Sequence, residues 1–296
     1  MLIKDARTYQ IAFLSLFLLL GVATRDWTLR PGMLLVTIAT CLTTQAIATL
    51  LSQHLLSNKL FPPPSASPTP SPLSPYLLIT SSLPSALITA LGLSLLLRAD
   101  HYSTMILAGV AAILSKFLLR VHTKHIFNPA NFGMIVALLL TNDAWVSPGQ
   151  WGESGWFVLL FLGCGGLVLQ KVGRWDTTVA FLGSYALLEA ARNLWLGWTW
   201  DVWAHRLMSG SLLLFALFMI TDPRSIPNAR MGRLVWAIAI AILTFWLRNQ
   251  QFISTAVLWA LFVLTPLIVI LDAIWQAPRF TWQPPATTNP TLITEN

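Results

Sequence analysis

The sequence predicts an all-α integral membrane protein with about ten transmembrane helices. Three observations predict it. Of the 296 residues, 55% are hydrophobic and only 10% are charged, whereas a soluble domain carries roughly 25% charge. The apolar residues are gathered into long uninterrupted runs, too many for a chain of this size to hide from water. The basic residues stand in the gaps between those runs, where topology signals stand. The formal net charge of +7 is therefore read as membrane orientation and not as a nucleic-acid footprint, which needs a basic stripe or patch.

The first run, roughly residues 9–23, follows Lys4 and Arg7 as a signal peptide would. No small-residue cleavage site precedes a soluble domain, so it reads as the first span. Runs at 33–52, 76–97 and 102–120 follow, each near the length of about 20 residues that a bilayer demands. Pro84, between Ser82 and Ser85, is expected to kink or interrupt the third. Segments 126–141 and 206–221 are short, and each abuts a polar break containing proline, the pattern of a discontinuous or re-entrant helix. Runs at 155–171, 177–197, 230–247 and 252–275 complete the count. The stretch Phe161-Leu-Gly-Cys-Gly-Gly166 reads as a close-packing face, since a flavin-binding glycine loop needs a Rossmann unit. Many of the fourteen tryptophans, among them Trp27, Trp145, Trp198 and Trp282, lie near segment ends, as in an interfacial belt.

With the N-terminus in the cytoplasm, twelve of the eighteen Lys and Arg residues fall on the inner side, which favours both termini inside. Residues 1–277 then form one membrane domain. Within it, residues 62–75 (PPPSASPTPSPLSP) make a cytoplasmic spacer whose prolines forbid helix. Residues 278–296 form a disordered cytoplasmic tail.

The two breaks carry the candidate chemistry. His122 to Leu140 reads HTKHIFNPANFGMIVALLL, and Phe218 to Leu243 reads FMITDPRSIPNARMGRLVWAIAIAIL. Asn and Asp cap helix N-termini and proline favours the first helical position, so Asn128-Pro129 and Asp222-Pro223 read as helix starts, with Pro227-Asn228 a second start in the later break. Amide groups freed at such starts attract anions. In lipid they persist only when buried in protein or lining a cavity. The inference is one polar pocket shaped by Asn128, Asn131, Gly133, Thr221, Asp222 and Arg224, with Lys124 or Arg230 neutralising an anionic ligand. Gly133 and Gly232 allow a backbone or a ligand to come close. The similarity of the two units hints at an internal duplication.

Other residues are weighed against this site. Glu189 is the one carboxylate well inside a span. It is expected either to pair with Arg192 on the same helix face or to serve an ion pathway. Asp143 and Glu153, in an outside loop without a basic partner there, are solvated or gather cations at an entry mouth. His122-x-x-His125 makes a poor metal site with Lys124 between its histidines, so no metal is expected. Cys41 and Cys164 lie in separate runs, and two thiols alone build no zinc or iron–sulfur centre.

FNPANFG, GQWGESGWFVLLFLGCGGLVLQ and LLFALFMITDPRSIPNARMGR together resemble a known family, over roughly residues 105–250. It is the large membrane subunit shared by the sodium-pumping NADH:quinone oxidoreductase and the Rnf electron-transport complex (NqrB/RnfD type). The resemblance implies ten helices, a riboflavin or FMN cofactor, electron transfer coupled to ion movement, and partner redox subunits. One departure matters. Pumping members attach FMN to threonine in a Ser-Gly-Ala-Thr tract. Here Ser147-Pro148-Gly149 stands in that interval, Thr141 lacks the motif, and no such tract occurs in the chain. Covalent FMN is not expected, and the flavin is expected to bind non-covalently. The leading expectation is a redox-complex subunit of a prokaryotic plasma membrane that is not catalytic alone. The alternatives are a permease on the same scaffold and a non-catalytic anchor for another enzyme.

Overall fold

The computed structural model describes residues 5–25, 29–57, 75–121, 124–146 and 155–280. The Pro-rich loop before Pro75, Lys4, His122, Ser147-Pro148-Gly149, Glu153 with its Gly-Glu-Ser tract, and the tail beyond residue 280 lie outside the described residues. The regular structure among the described residues is helical apart from four strands of two or three residues.

Helices α1 (Ala6–Arg25), α2 (Pro31–Ser57), α3 (Pro75–Leu96), α4 (Tyr102–Leu118) and α5 (Pro129–Leu140) form the first half. Helices α6 (Gly155–Val172), α7 (Trp175–Leu196), α8 (Trp200–Leu207), α9 (Gly210–Leu214), α10 (Arg230–Asn249), α11 (Ala256–Leu264) and α12 (Leu267–Ile274) form the second. The chain leaves α9 through a π-helical turn, Phe215–Met219. Each of the ten expected segments coincides with one helix or one bent helix pair. Among the described residues five helices are long and apolar enough to cross a membrane, and up to seven if each bent pair is one span. The remainder fall short by length or by charge: α5, for instance, has 12 residues. The chain is a multi-pass, all-α membrane protein, and its described helices include several short or broken ones; five to seven of them have the make-up of a span, against the ten expected.

Local chemistry explains most boundaries. Pro31 and Pro75 open α2 and α3, where a missing N–H does no harm. Gly197, at φ 66°, ends α7 in the left-handed conformation, and the Trp198 N–H closes back on the Asn193 carbonyl at 3.0 Å. The α8–α9 pair bends by 49° and the α11–α12 pair by 51°. The second bend falls at Thr265-Pro266, a proline break that hydropathy alone passes over. Helix α3 continues through Pro84, so the proline does not interrupt it.

Packing divides by half. Helix α4 lies along α2 and α5, α1 along α3, and α10 along α7. Gly133 makes the α4–α5 contact: a Cβ there would meet the Ala108 carbonyl oxygen, so only glycine lets the two backbones approach. Phe17 of α1 meets Phe161 and Phe218 edge-on, at 4.7 and 5.6 Å between ring centroids, and so joins the halves. Two antiparallel strand pairs tie the ends. β1 (Leu97–Ala99) pairs with β4 (Ala144–Val146), and β2 (Arg120–Val121) with β3 (Lys124–His125). Asp143, next to β4, accepts hydrogen bonds from Thr104 Oγ1 at 2.7 Å and the His101 N–H at 2.9 Å. Those bonds hold its carboxyl well below the usual carboxylate range. It fastens the start of α4, with His101 as the basic partner that the loop sequence concealed.

Buried ion pairs clamp the second half. Asp176 meets Arg233 at 2.6 Å between α7 and α10. Glu189 accepts from Tyr185 Oη (2.8 Å), Asn249 Nδ2 (3.0 Å) and Arg206 Nη1 (3.0 Å to Oε2). The expected partner, Arg192, instead lies over the Trp198 ring at 4.6 Å. The correction has a plain cause: the left-handed turn at Gly197 folds α8 back along α7 and delivers Arg206 from seventeen residues on. Glu189 therefore joins α7, α8 and α10. Removing one partner of a buried pair leaves an uncompensated charge, at about 3–5 kcal/mol. Glu189→Leu is expected to lower stability by that order, measured by denaturant unfolding in detergent, with Glu189→Gln losing less because the amide still accepts hydrogen bonds.

Candidate functional site

The two breaks meet. A cavity between the halves is lined by Asn128, Pro129 and Ala130 from the first break and by Thr221, Asp222, Pro223 and Arg224 from the second. Leu14 of α1, Leu95 and Leu96 of α3, Val168 of α6 and Phe218 supply apolar walls. Arg7, Gln10, Ser85, Thr89 and His125 add polar groups.

Asn128 is built as expected. Its backbone is extended, its Oδ1 accepts the Asn131 N–H at 3.1 Å, and Pro129 opens α5. Its Nδ2 donates to the Met219 carbonyl at 3.2 Å, across to the second break. That carbonyl lies at the end of the π-helical turn, where the last carbonyls of a helix lack intrahelical partners, and it also accepts the Asp222 N–H at 3.4 Å. Thr178 Oγ1 takes the Ala216 carbonyl of the same turn at 2.6 Å. One side chain thus caps one break and satisfies the other.

The second break is built differently from the expectation. Asp222-Pro223 does not start a helix. Asp222 closes a tight turn on itself, accepting the Arg224 N–H at 3.2 Å and the Ser225 hydroxyl at 3.0 Å. Helix α10 begins only at Arg230, after Ala229 and without a side-chain cap. Pro223 and Pro227 bias the residues before them away from the helical region, which postpones the start. Of the two breaks, only the first therefore offers a helix N-terminus to the hollow, that of α5. His125 Nε2 stands 4.0 Å from Asp222 Oδ2. Burial holds His125 below the usual imidazole range, against the pull of Asp222. Burial pushes the Asp222 carboxyl up, but His125, the Arg224 N–H and the Ser225 hydroxyl outweigh it and keep the group below the ordinary carboxylate range.

The remaining expected residues scatter. Thr221 lines the cavity, its hydroxyl on the Leu217 carbonyl at 2.9 Å. Asn131 is buried behind the first turn of α5, with Oδ1 unpartnered among the described residues. Gly133 faces α4 and is a packing residue. Lys124 turns to Asp272 of α12 at 2.7 Å, and also donates to the Ile226 carbonyl and to Asn228 Oδ1. It clamps the hairpin to the second break and the last helix. Arg230 is two-thirds exposed and approaches Asp176 at 3.8 Å. Glu189 lies in its clamp, behind Arg206 and Arg248. Sequence reasoning missed Arg7, Gln10, Ser85, Thr89 and His125 as lining groups. They come from α1, α3 and the β2–β3 hairpin, and no local pattern links them to the breaks.

Comparison with known proteins follows this geometry only in part. Residues 138–281 match the model of the NQR2, RnfD, RnfE family, so the match contains the second break and α6–α12 while Asn128 lies ahead of it. The chain is 32% identical over 133 residues to the D subunit of the ion-translocating oxidoreductase complex of Stutzerimonas stutzeri, covering 45% of this chain and 37% of that protein. It is 33% identical over 139 residues to the protein of the same name from Vibrio atlanticus, 46% and 38% of the two chains. It is 28% identical over 133 residues to the D subunit of the proton-translocating ferredoxin:NAD(+) oxidoreductase complex of Clostridium ljungdahlii, 45% and 40%. The chain thus spans about two-fifths of the length of the curated relatives it matches. With a helical membrane fold and the Thr-Asp-Pro break inside the matched stretch, residues 138–281 resemble the NQR2, RnfD, RnfE family.

Proposed function

We propose that this chain is a membrane subunit of a redox-linked electron-transport complex of the Rnf/Nqr type, coupled to cation movement, and that it binds a flavin or quinone non-covalently in the hollow between the two breaks. The observation that carries the reading is the joint hollow itself, where Asn128–Ala130 and Thr221–Arg224 line one cavity in a chain that resembles this family. Its chemistry suits such a group: apolar walls for a flat ring, and amide, hydroxyl and guanidinium groups at the rim for the polar edge. A bound flavin would supply the redox chemistry.

The chain's own residues would bind and orient. Phe218 and the leucines exclude water. Thr89, Thr221 and the first turn of α5 offer hydrogen-bond partners. Arg7 and Arg224 neutralise negative charge at the ring edge. Electrons would pass to and from partner subunits. The basic residues between helices support a cytoplasmic N-terminus and a cytoplasmic C-terminal end of α12, and the bacterial relatives support a prokaryotic plasma membrane. A second reading, a small-molecule or ion permease on the same scaffold, rests on the absence of the Ser-Gly-Ala-Thr tract.

A visible spectrum of the detergent-purified protein before and after acid precipitation separates the two. Flavin absorbance released into the supernatant is expected; a colourless protein that also binds no added flavin or quinone moves the assignment to transport. Asn128→Asp keeps the cap acceptor but loses the donor to Met219, while Asn128→Leu loses both. Each lost buried hydrogen bond costs about 1–3 kcal/mol. Leu is therefore expected to weaken folding and flavin retention more than Asp, measured as apparent Tm and as bound flavin per chain.

A further inference from the structure

The hollow does not end at its own rim. A second cavity adjoins it, sharing Arg7, Ser85, His125 and Arg224, and is lined in addition by Gln45, Ser81, Ser82, Lys116 and Arg120. Its charge is one-sided. Arg7 is paired with Asp5 at 2.7 Å. Among the described residues, no carboxylate lies within ion-pair distance of Lys116, Arg120 or Arg224. Lys116 is 6% exposed, and its ammonium has only the Ser85 carbonyl and hydroxyl, at 3.3 and 3.2 Å. Gln45 is buried as well, with Oε1 unpartnered among the described residues.

A buried ammonium with neutral partners only, beside two guanidinium groups without counter-ions, is costly to maintain unless an anion completes it. Arginine forks and a lysine point charge are the groups that hold phosphate, whose oxygens accept several donors at once. The wall chemistry changes from apolar in the hollow to cationic in this second chamber.

We propose that the second chamber is a phosphate-binding mouth. It takes the phosphate of a ligand whose apolar body lies in the hollow, with Lys116, Arg120 and Arg224 as the reading groups. The inference rests on the hollow being a binding site and adds the class of its occupant, a phosphate ester on an apolar body. Two sources share that chemistry: a phosphorylated flavin and an anionic phospholipid.

The test titrates the full-length protein in neutral detergent with FMN and riboflavin, followed by flavin and tryptophan fluorescence. In parallel it measures thermal stabilisation by phosphatidic acid and by phosphatidylcholine. FMN is expected to bind about tenfold or more tightly than riboflavin, the scale of a charge-assisted contact to the phosphate. R120Q, at an exposed position that lines the second chamber and not the hollow, is expected to reduce that advantage and leave riboflavin affinity unchanged, and R120Q/R224Q is expected to remove it. K116M, made separately, is expected to reduce it in the same direction. If FMN and riboflavin bind equally and phosphatidic acid has no preference over phosphatidylcholine, the mouth is overturned while the hollow stands as a flavin site. If neither flavin binds but phosphatidic acid stabilises the protein, and R120Q/R224Q abolishes this, the mouth stands with a lipid as its source and the flavin reading falls.

Discussion

Inside a bilayer, every backbone N–H and C=O without an internal partner costs several kcal/mol, and a chain that interrupts its helices must answer for each group it frees. Here the Asn128 carboxamide answers for both interruptions. Its oxygen takes the amide freed at the start of α5, and its nitrogen supplies the carbonyl at the end of the π-helical turn. The first break thus reaches across to the second, and the two halves of the protein are joined by that bond and by the Phe17 contacts.

Around this seam the charged residues fall into two kinds. Asp176–Arg233, Glu189–Arg206 and Lys124–Asp272 are paired and join separate elements. Lys116, Arg120 and Arg224 have no such partners among the described residues and line one cavity. The paired groups fix the geometry, and those without counter-ions give the cavity its polarity. The same residue types serve both purposes, so charge alone does not identify function; the presence or absence of a counter-ion does.

Hydropathy made the helices legible, because a run of apolar residues in lipid has little choice but to form one. The Asn128 cap was legible for the same local reason: Asx followed by proline states its own geometry. Asp222 carried the same signature and misled, since Asx-Pro also opens a tight turn and the second proline at 227 decides between them. Glu189 misled in another way. Its nearest basic neighbour in sequence was three residues away, but its partner arrived on a helix folded back by a glycine. Lys124 and Asp272 are 148 residues apart, and the mouth draws on α1, α2, α4 and both breaks. Such convergence is set by packing and leaves no periodic trace.

The π-helical turn at Phe215–Met219 holds one residue more than regular helical pitch requires. Loss of a single codon there would let the helix close in the regular pattern with everything downstream kept in register, because the turn already absorbs the extra residue. The Ala216 carbonyl would return to the helix ladder and Thr178 would lose its acceptor. The turn is therefore a place where a lineage can gain or lose a residue without moving the second break.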